Sequence, residues 1–156
     1  MRITLLQTGK TRDRFIIEGV EEYRKRVVCY TPIVIESLSD LKNSQSLTMK
    51  EVQEKEGAKI LSKVKTGDYL ILLDERGREF QSIGLAEHLK TLEGRVDHLV
   101  FVIGGSYGFS EEVYCRANEQ LSLSRLTFSQ QLISLLFMEQ IYRSFTILKG
   151  EPNCHE

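Results

Sequence analysis

The residues with the clearest chemical promise lie in positions 100–112. Val100, Phe101, Val102 and Ile103 run into Gly104 and Gly105; Gly108 follows, and Ser110 precedes Glu111 and Glu112. A continuous apolar run of this kind predicts a strand buried on both faces. Glycines permit positive φ and let a ligand meet bare backbone. Ser110 suits an N-cap, and the two glutamates suit the positive end of the helix behind it. Strand, bare loop, helix is the corner where open α/β sheets collect ligands. A tight turn explains Gly104 and Gly105 equally well.

Two more loops are expected at the same edge, after Leu73 and after Leu123. Apolar side chains such as Leu73, Leu126 and Phe128 would sandwich a flat heterocycle, while loop N–H and C=O groups read its rim. Other chemistries lack their signatures. There is no Gly-x-x-x-x-Gly-Lys-Ser/Thr loop, no Gly-x-Gly-x-x-Gly turn after the first strand, and no Gly-x-Ser-x-Gly elbow. Ser106 has no histidine near it in sequence and reads as a loop hydroxyl. No Cys/His pair has metal-ligand spacing, so no metal site is expected.

These corners need a frame. Residues 3–7 predict a first strand, 13–28 a helix begun at Asp13, and 33–35 a second strand after Pro32. Residues 38–47 read as the longest loop. Thr48 with Glu51 fits a capping box opening a helix to about residue 63, which would bury Met49, Val52, Ile60, Leu61 and Val64. A third strand at 69–73 ends in a charged turn, 74–78. Ser82 can cap the next helix, stopped at Gly94. The fourth strand is 98–103, and Leu121 and Leu123 fall in a short fifth. Ser129 can cap a last helix that is apolar on nearly every side to about residue 148. Such a helix needs cover on both sides, and a second subunit is the expected source of one. The alternation argues for an α/β fold: a mostly parallel sheet of five to six strands with helices on both faces.

At 156 residues the chain is expected to be one domain, 1–156. No apolar run approaches the ~18 residues of a membrane span. Three cysteines, widely spaced, suggest a reducing cytoplasm rather than a disulfide frame. With a net charge of −1, a nucleic acid would have to be met by a local basic patch. Candidates are Lys10, Arg12 and Arg14; Arg24, Lys25 and Arg26; and Arg76 with Arg78.

Three segments, in their order and spacing, resemble a known family. They are Ile103-Gly104-Gly105-Ser106-Tyr107-Gly108, Leu121-Ser122-Leu123-Ser124-Arg125-Leu126-Thr127-Phe128, and Met138-Glu139-Gln140-Ile141-Tyr142-Arg143. The set is similar to the RlmH-type ribosomal RNA methyltransferases, minimal members of the SPOUT class. The opening Ile3-Thr4-Leu5-Leu6-Gln7-Thr8-Gly9-Lys10 and the Lys55-Glu56-Gly57 step also fit, so the resemblance spans the chain. It implies a C-terminal trefoil knot, which general topology rules would reject as rare. It implies a cytoplasmic homodimer with S-adenosylmethionine in the knot. By position the cofactor residues would be Leu73, Gly104, Gly105, Leu123, Ser124, Arg125, Leu126, Thr127 and Phe128. The implied substrate is a pseudouridine of 23S rRNA, methylated at N3 in the 70S ribosome or large subunit. Methyl transfer mainly needs alignment of the reacting atoms. Loss of the weakly acidic N3 proton calls for a base or nearby cation, and Glu139, Arg143 and His155 are the candidates. The chain departs from the family at Ser129 and Gln130, where Pro-His is usual, at Ser134, where arginine is usual, and in its tail, which lacks the usual tyrosine and places Cys154 and His155 at its end. A knotted RNA-binding module without transferase activity is the competing expectation; a generic nucleotide-binding protein is the third.

Overall fold

The computed structural model describes residues 1–151. The elements are β1 (Arg2–Thr8), α1 (Arg14–Val27), β2 (Ile33–Leu38), α2 (Met49–Ser62), β3 (Tyr69–Glu79), α3 (Ser82–Glu93), β4 (His98–Ile103), α4 (Glu111–Arg116), β5 (Glu119–Ser122) and α5 (Gln130–Lys149). The five strands form one parallel sheet in the order β2-β1-β4-β3-β5. Parallel strands buried on both faces read as unbroken apolar runs, which is how β4 reads. Its Leu99, Phe101 and Ile103 pack into one layer with α3 and α5, and Val100 and Val102 into the other with α2 and α4.

Thr48 makes the full capping box: its hydroxyl accepts from Glu51 N–H, and the Glu51 carboxylate accepts from Thr48 N–H. Met49, the first residue of α2, is nonetheless 59% exposed rather than buried. Ser82 is the first residue of α3, not its cap; Gln81 occupies that position. Leu123 lies past β5, in the loop. The largest departure is at residues 74–78. They are not a free turn: β3 continues through them to Glu79, with its pairing to β5 shifted between Leu73 and Arg78.

The apolar α5 is covered mostly from within the chain. It lies between α1 and α3 and buries Phe137, Met138, Ile141 and Phe145 over the sheet. Leu132, Leu135 and Leu136 stay half-buried.

Beneath β4, His98 joins Asp68 (Nδ1 to Oδ1, 2.9 Å) to Thr4 (Nε2 to Oγ1, 2.7 Å), while Asp68 Oδ2 accepts from Lys65 N–H at 2.8 Å. Burial pushes the Asp68 carboxyl up, but the Lys65 N–H and His98 pull it further down, to below the ordinary 3.8. A depressed carboxylate contributes stability that is present above the unfolded value and lost as pH falls through the folded one. Asp68→Asn is therefore expected to cost roughly 1–3 kcal/mol at pH 7 and to flatten the fall in stability below pH 4, read from urea midpoints against pH. An unchanged acid limb would show that Asp68 does not set it.

Candidate active site

Leu73 of β3 stands beside Ile103 of β4 on one side and Leu121 of β5 on the other, so β4 and β5 end, and the regular pairing of β3 breaks, at one edge. The loops that follow enclose a cleft of about 590 Å³. That lies within the roughly 300–1,000 Å³ of small-molecule sites. Leu73, Ile103, Leu123, Phe128 and Ile133 line its apolar side. Leu126 stands at the rim, 71% exposed.

Leu73, Gly104, Gly105, Leu123, Ser124, Leu126, Thr127 and Phe128 all line this cleft. Arg125 does not: its guanidinium turns to Glu79 at 2.5 Å. The loop is tied again by the Thr127 hydroxyl, which donates to Glu75 at 3.0 Å. At the other side Gln130 Nε2 donates to the Gly104 carbonyl at 2.7 Å, and Ser129 caps α5. Gln130 thus ties the start of α5 to the end of β4. Ser134 is buried, with its hydroxyl on the Gln131 carbonyl, and serves packing.

Glu139 and Arg143 pair with each other at 2.6 Å, and Gln140 Nε2 donates to Glu139 at 2.8 Å. Neither lines the cleft. Glu139 lies nine residues, or about 13 Å of helix, beyond Gln130. His155 and Cys154 lie outside the described residues.

Asp74 and Tyr114 are among the cleft residues that escaped the sequence reading. Tyr114 of α4 donates its hydroxyl to Asp74 Oδ2 at 2.5 Å, and Arg76 donates its N–H to Asp74 Oδ1 at 2.9 Å and its guanidinium to Tyr114 at 3.1 Å. Burial raises the Asp74 carboxyl, yet the Tyr114 hydroxyl and Arg76 pull it below its ordinary value. Burial and the same bond push the Tyr114 phenol up. Asp74 is thus a fixed anion at the mouth of β3. Its position directly after an apolar strand was the available signal; Tyr114 offered none.

Gly104 and Gly105 do not need positive φ; only Gly108 of this loop adopts it, at +78°. They are glycines because their surroundings leave no room. A Cβ on Gly104 would lie 2.9 Å from the Phe109 ring, and one on Gly105 would fall on the carboxyl of Glu56, 2.7 Å from Oε2. The tight turn and the cleft wall are the same object. Gly105→Val is expected to drive the loop off α2 and weaken cofactor binding at least tenfold, about 1.4 kcal/mol, by calorimetry. Glu56→Ala should recover part of that loss. No recovery in the double variant would place the clash elsewhere.

A family model described as "Predicted SPOUT methyltransferase" matches residues 1–153. The chain belongs to the SPOUT methyltransferase family. Among its curated relatives is "Ribosomal RNA large subunit methyltransferase H" of Parabacteroides distasonis, 47% identical over the whole of both chains. Proteins of the same name from Bacteroides thetaiotaomicron and Flavobacterium johnsoniae are each 46% identical, again over all of both chains.

As a SPOUT methyltransferase the chain uses S-adenosylmethionine, and the cleft fits it. The leucines and Phe128 offer faces for adenine. Among the described residues the N–H groups of Thr127 and Phe128, both in the cleft lining, have no hydrogen-bond partner and are available to a ligand. Asp74 can accept from a ribose hydroxyl or an ammonium. When bound, the group supplies a methyl carbon already activated on a sulfonium.

Proposed function

We propose that this chain methylates N3 of a pseudouridine in large-subunit ribosomal RNA, in the cytoplasm, on the assembled ribosome or large subunit. The observation that carries the reading is the convergence of the three loops on one cleft whose walls suit adenine and whose mouth holds Asp74. The names of the relatives support the RNA substrate. The chain acts as a single 1–156 domain, with its C-terminal segment threaded as the family's knot. The return of α5 from the β5 edge to a seat between α1 and α3 is the supporting feature. It works as a homodimer. Half-buried Leu132 and Leu136 and the 67% exposed Phe15 supply apolar surface for a partner.

A weakly acidic N3–H needs a proton acceptor or a nearby cation. Glu139, Arg143 and His155 keep that role here; the first two, set away from their own cleft, would serve the cleft of the second copy. No metal takes part.

Equilibrium dialysis against S-adenosylmethionine, ATP and NAD tests the cleft, with selective binding of the first expected. Methyl transfer to 70S ribosomes from a strain lacking this protein, read by nucleoside mass spectrometry, tests the reaction. Cofactor binding without a methylated pseudouridine would favour the RNA-binding module instead.

A further inference from the structure

A second recess opens at the carboxyl end of β1, beside the first cleft. It encloses about 220 Å³ and shares Gln130 with the cleft as a common wall. β1 is hydrogen-bonded to β4, with Gln7 level with Ile103, so the recess lies one strand spacing, about 5 Å, from the glycine loop. Its lining residues are polar apart from Gly9. The Gln7 amide donates to Thr11 Oγ1 at 3.0 Å, and the Thr8 hydroxyl is buried with no partner among the described residues. Two cations stand at its rim. Lys10 has no partner among the described residues, and Arg12 reaches only Asp40, at 3.6 Å with both side chains largely exposed.

The rim is held in place rather than floating. Gln131 Oε1 accepts from the N–H groups of both Arg12 and Asp13 at 2.9 Å. Its chain neighbour Gln130 holds the Gly104 carbonyl. Adjacent amides of α5 thus fix the recess to the donor cleft. The Asp40 carboxylate packs against Gly9, where a Cβ would lie 2.8 Å from its Oδ1.

We propose that this recess seats one ribose–phosphate unit of the RNA strand next to the nucleotide that is methylated. Lys10 and Arg12 take the phosphate, and Asp40 accepts from the ribose 2′-hydroxyl. Two cations and one acceptor are the donor set of a ribonucleotide backbone; a carboxylate in the same recess would disfavour a bare anion. The 2′-hydroxyl is also what separates RNA from DNA. The volume of about 220 Å³ is of the size of one such unit. The inference rests on the reading of the chain as an RNA methyltransferase.

The test uses the full chain with fluorescent ten-residue oligouridylate and oligodeoxyuridylate, and 70S ribosomes lacking the modification. K10A and R12A should each weaken oligouridylate binding about fivefold or more and lower the slope of affinity against salt by about one phosphate contact. Both should raise KM for ribosomes and leave S-adenosylmethionine affinity unchanged. D40N should narrow the preference for oligouridylate over oligodeoxyuridylate. Wild-type methyl transfer with unaltered oligonucleotide affinity, salt slope and KM in these variants would overturn the recess while leaving the proposed function standing. Absence of S-adenosylmethionine binding by the wild type would instead overturn the function itself.

Discussion

Gly77→Ala is expected to weaken S-adenosylmethionine binding at least tenfold while the sheet survives. A Cβ at Gly77 would lie 2.6 Å from the carbonyl carbon of Gln120 and 2.7 Å from Leu121 N, both backbone atoms of β5. Backbone cannot swing aside as a side chain can, so β3 and β5 must part at this point. Relief of such overpacking typically costs about 1–3 kcal/mol, a tolerable loss at a sheet edge. The change also reaches the cleft, because β5 leads directly into the 123–128 loop. Arg125 and Thr127 tie that loop to Glu79 and Glu75 on the same extension of β3. Displacing the extension moves the third wall of the cleft. Affinity measured by calorimetry should fall by at least tenfold, about 1.4 kcal/mol, with the thermal midpoint lowered by only a few degrees. Wild-type affinity in this variant would show that the extension does not position the loop.

That extension marks where the sequence stops being legible. Residues 69–73 are apolar without interruption and could only be a buried strand. Asp74, Glu75, Arg76, Gly77 and Arg78 carry charge on both faces and a central glycine, which is the composition of a turn. The chain bulges through 74–77 and returns to strand pairing at Arg78 and Glu79, because β5 supplies partners at Leu121 and Ser122. Pairing of that kind depends on which backbone lies alongside, and no local pattern records it. The capping serines tell the opposite story. Ser110 and Ser129 each accept from the N–H three residues on, as their own sequence neighbourhood dictated.

The cleft was legible for the same reason as the strands. Its walls are the residues that directly follow apolar runs, so finding the strands located the loops. Asp74 and Tyr114 were not found, since their pairing joins β3 to α4 across 40 residues. Gln131 was also missed, since its partners Arg12 and Asp13 lie more than a hundred residues away. The glycines were found for an incomplete reason. Bare backbone was expected to serve the ligand, whereas Phe109 and Glu56 occupy the space that a side chain would need.

The largest loss of stability is expected from Phe137→Ala. Phe137 is fully buried on α5, and its ring meets that of Phe101 on β4, also fully buried, with centroids 4.7 Å apart and planes at 56°. Truncating a buried phenylalanine removes its transfer energy and leaves a cavity, together about 3–5 kcal/mol. The aromatic pair adds about 0.5–1.5 kcal/mol beyond buried area. The site cannot readily collapse, since the ring is wedged between the central strand and a helix held on both flanks by α1 and α3. Two turns earlier, the same helix grips Gly104 through Gln130 and the start of α1 through Gln131. Loosening α5 therefore reaches the donor cleft and the β1 recess together. Urea unfolding should show the midpoint shifted by the full amount with an unchanged slope, and Phe137→Leu should cost much less. A loss below about 1.5 kcal/mol for the alanine variant would mean that α5 is not anchored at this contact, and the shared mounting of the two sites would fall with it.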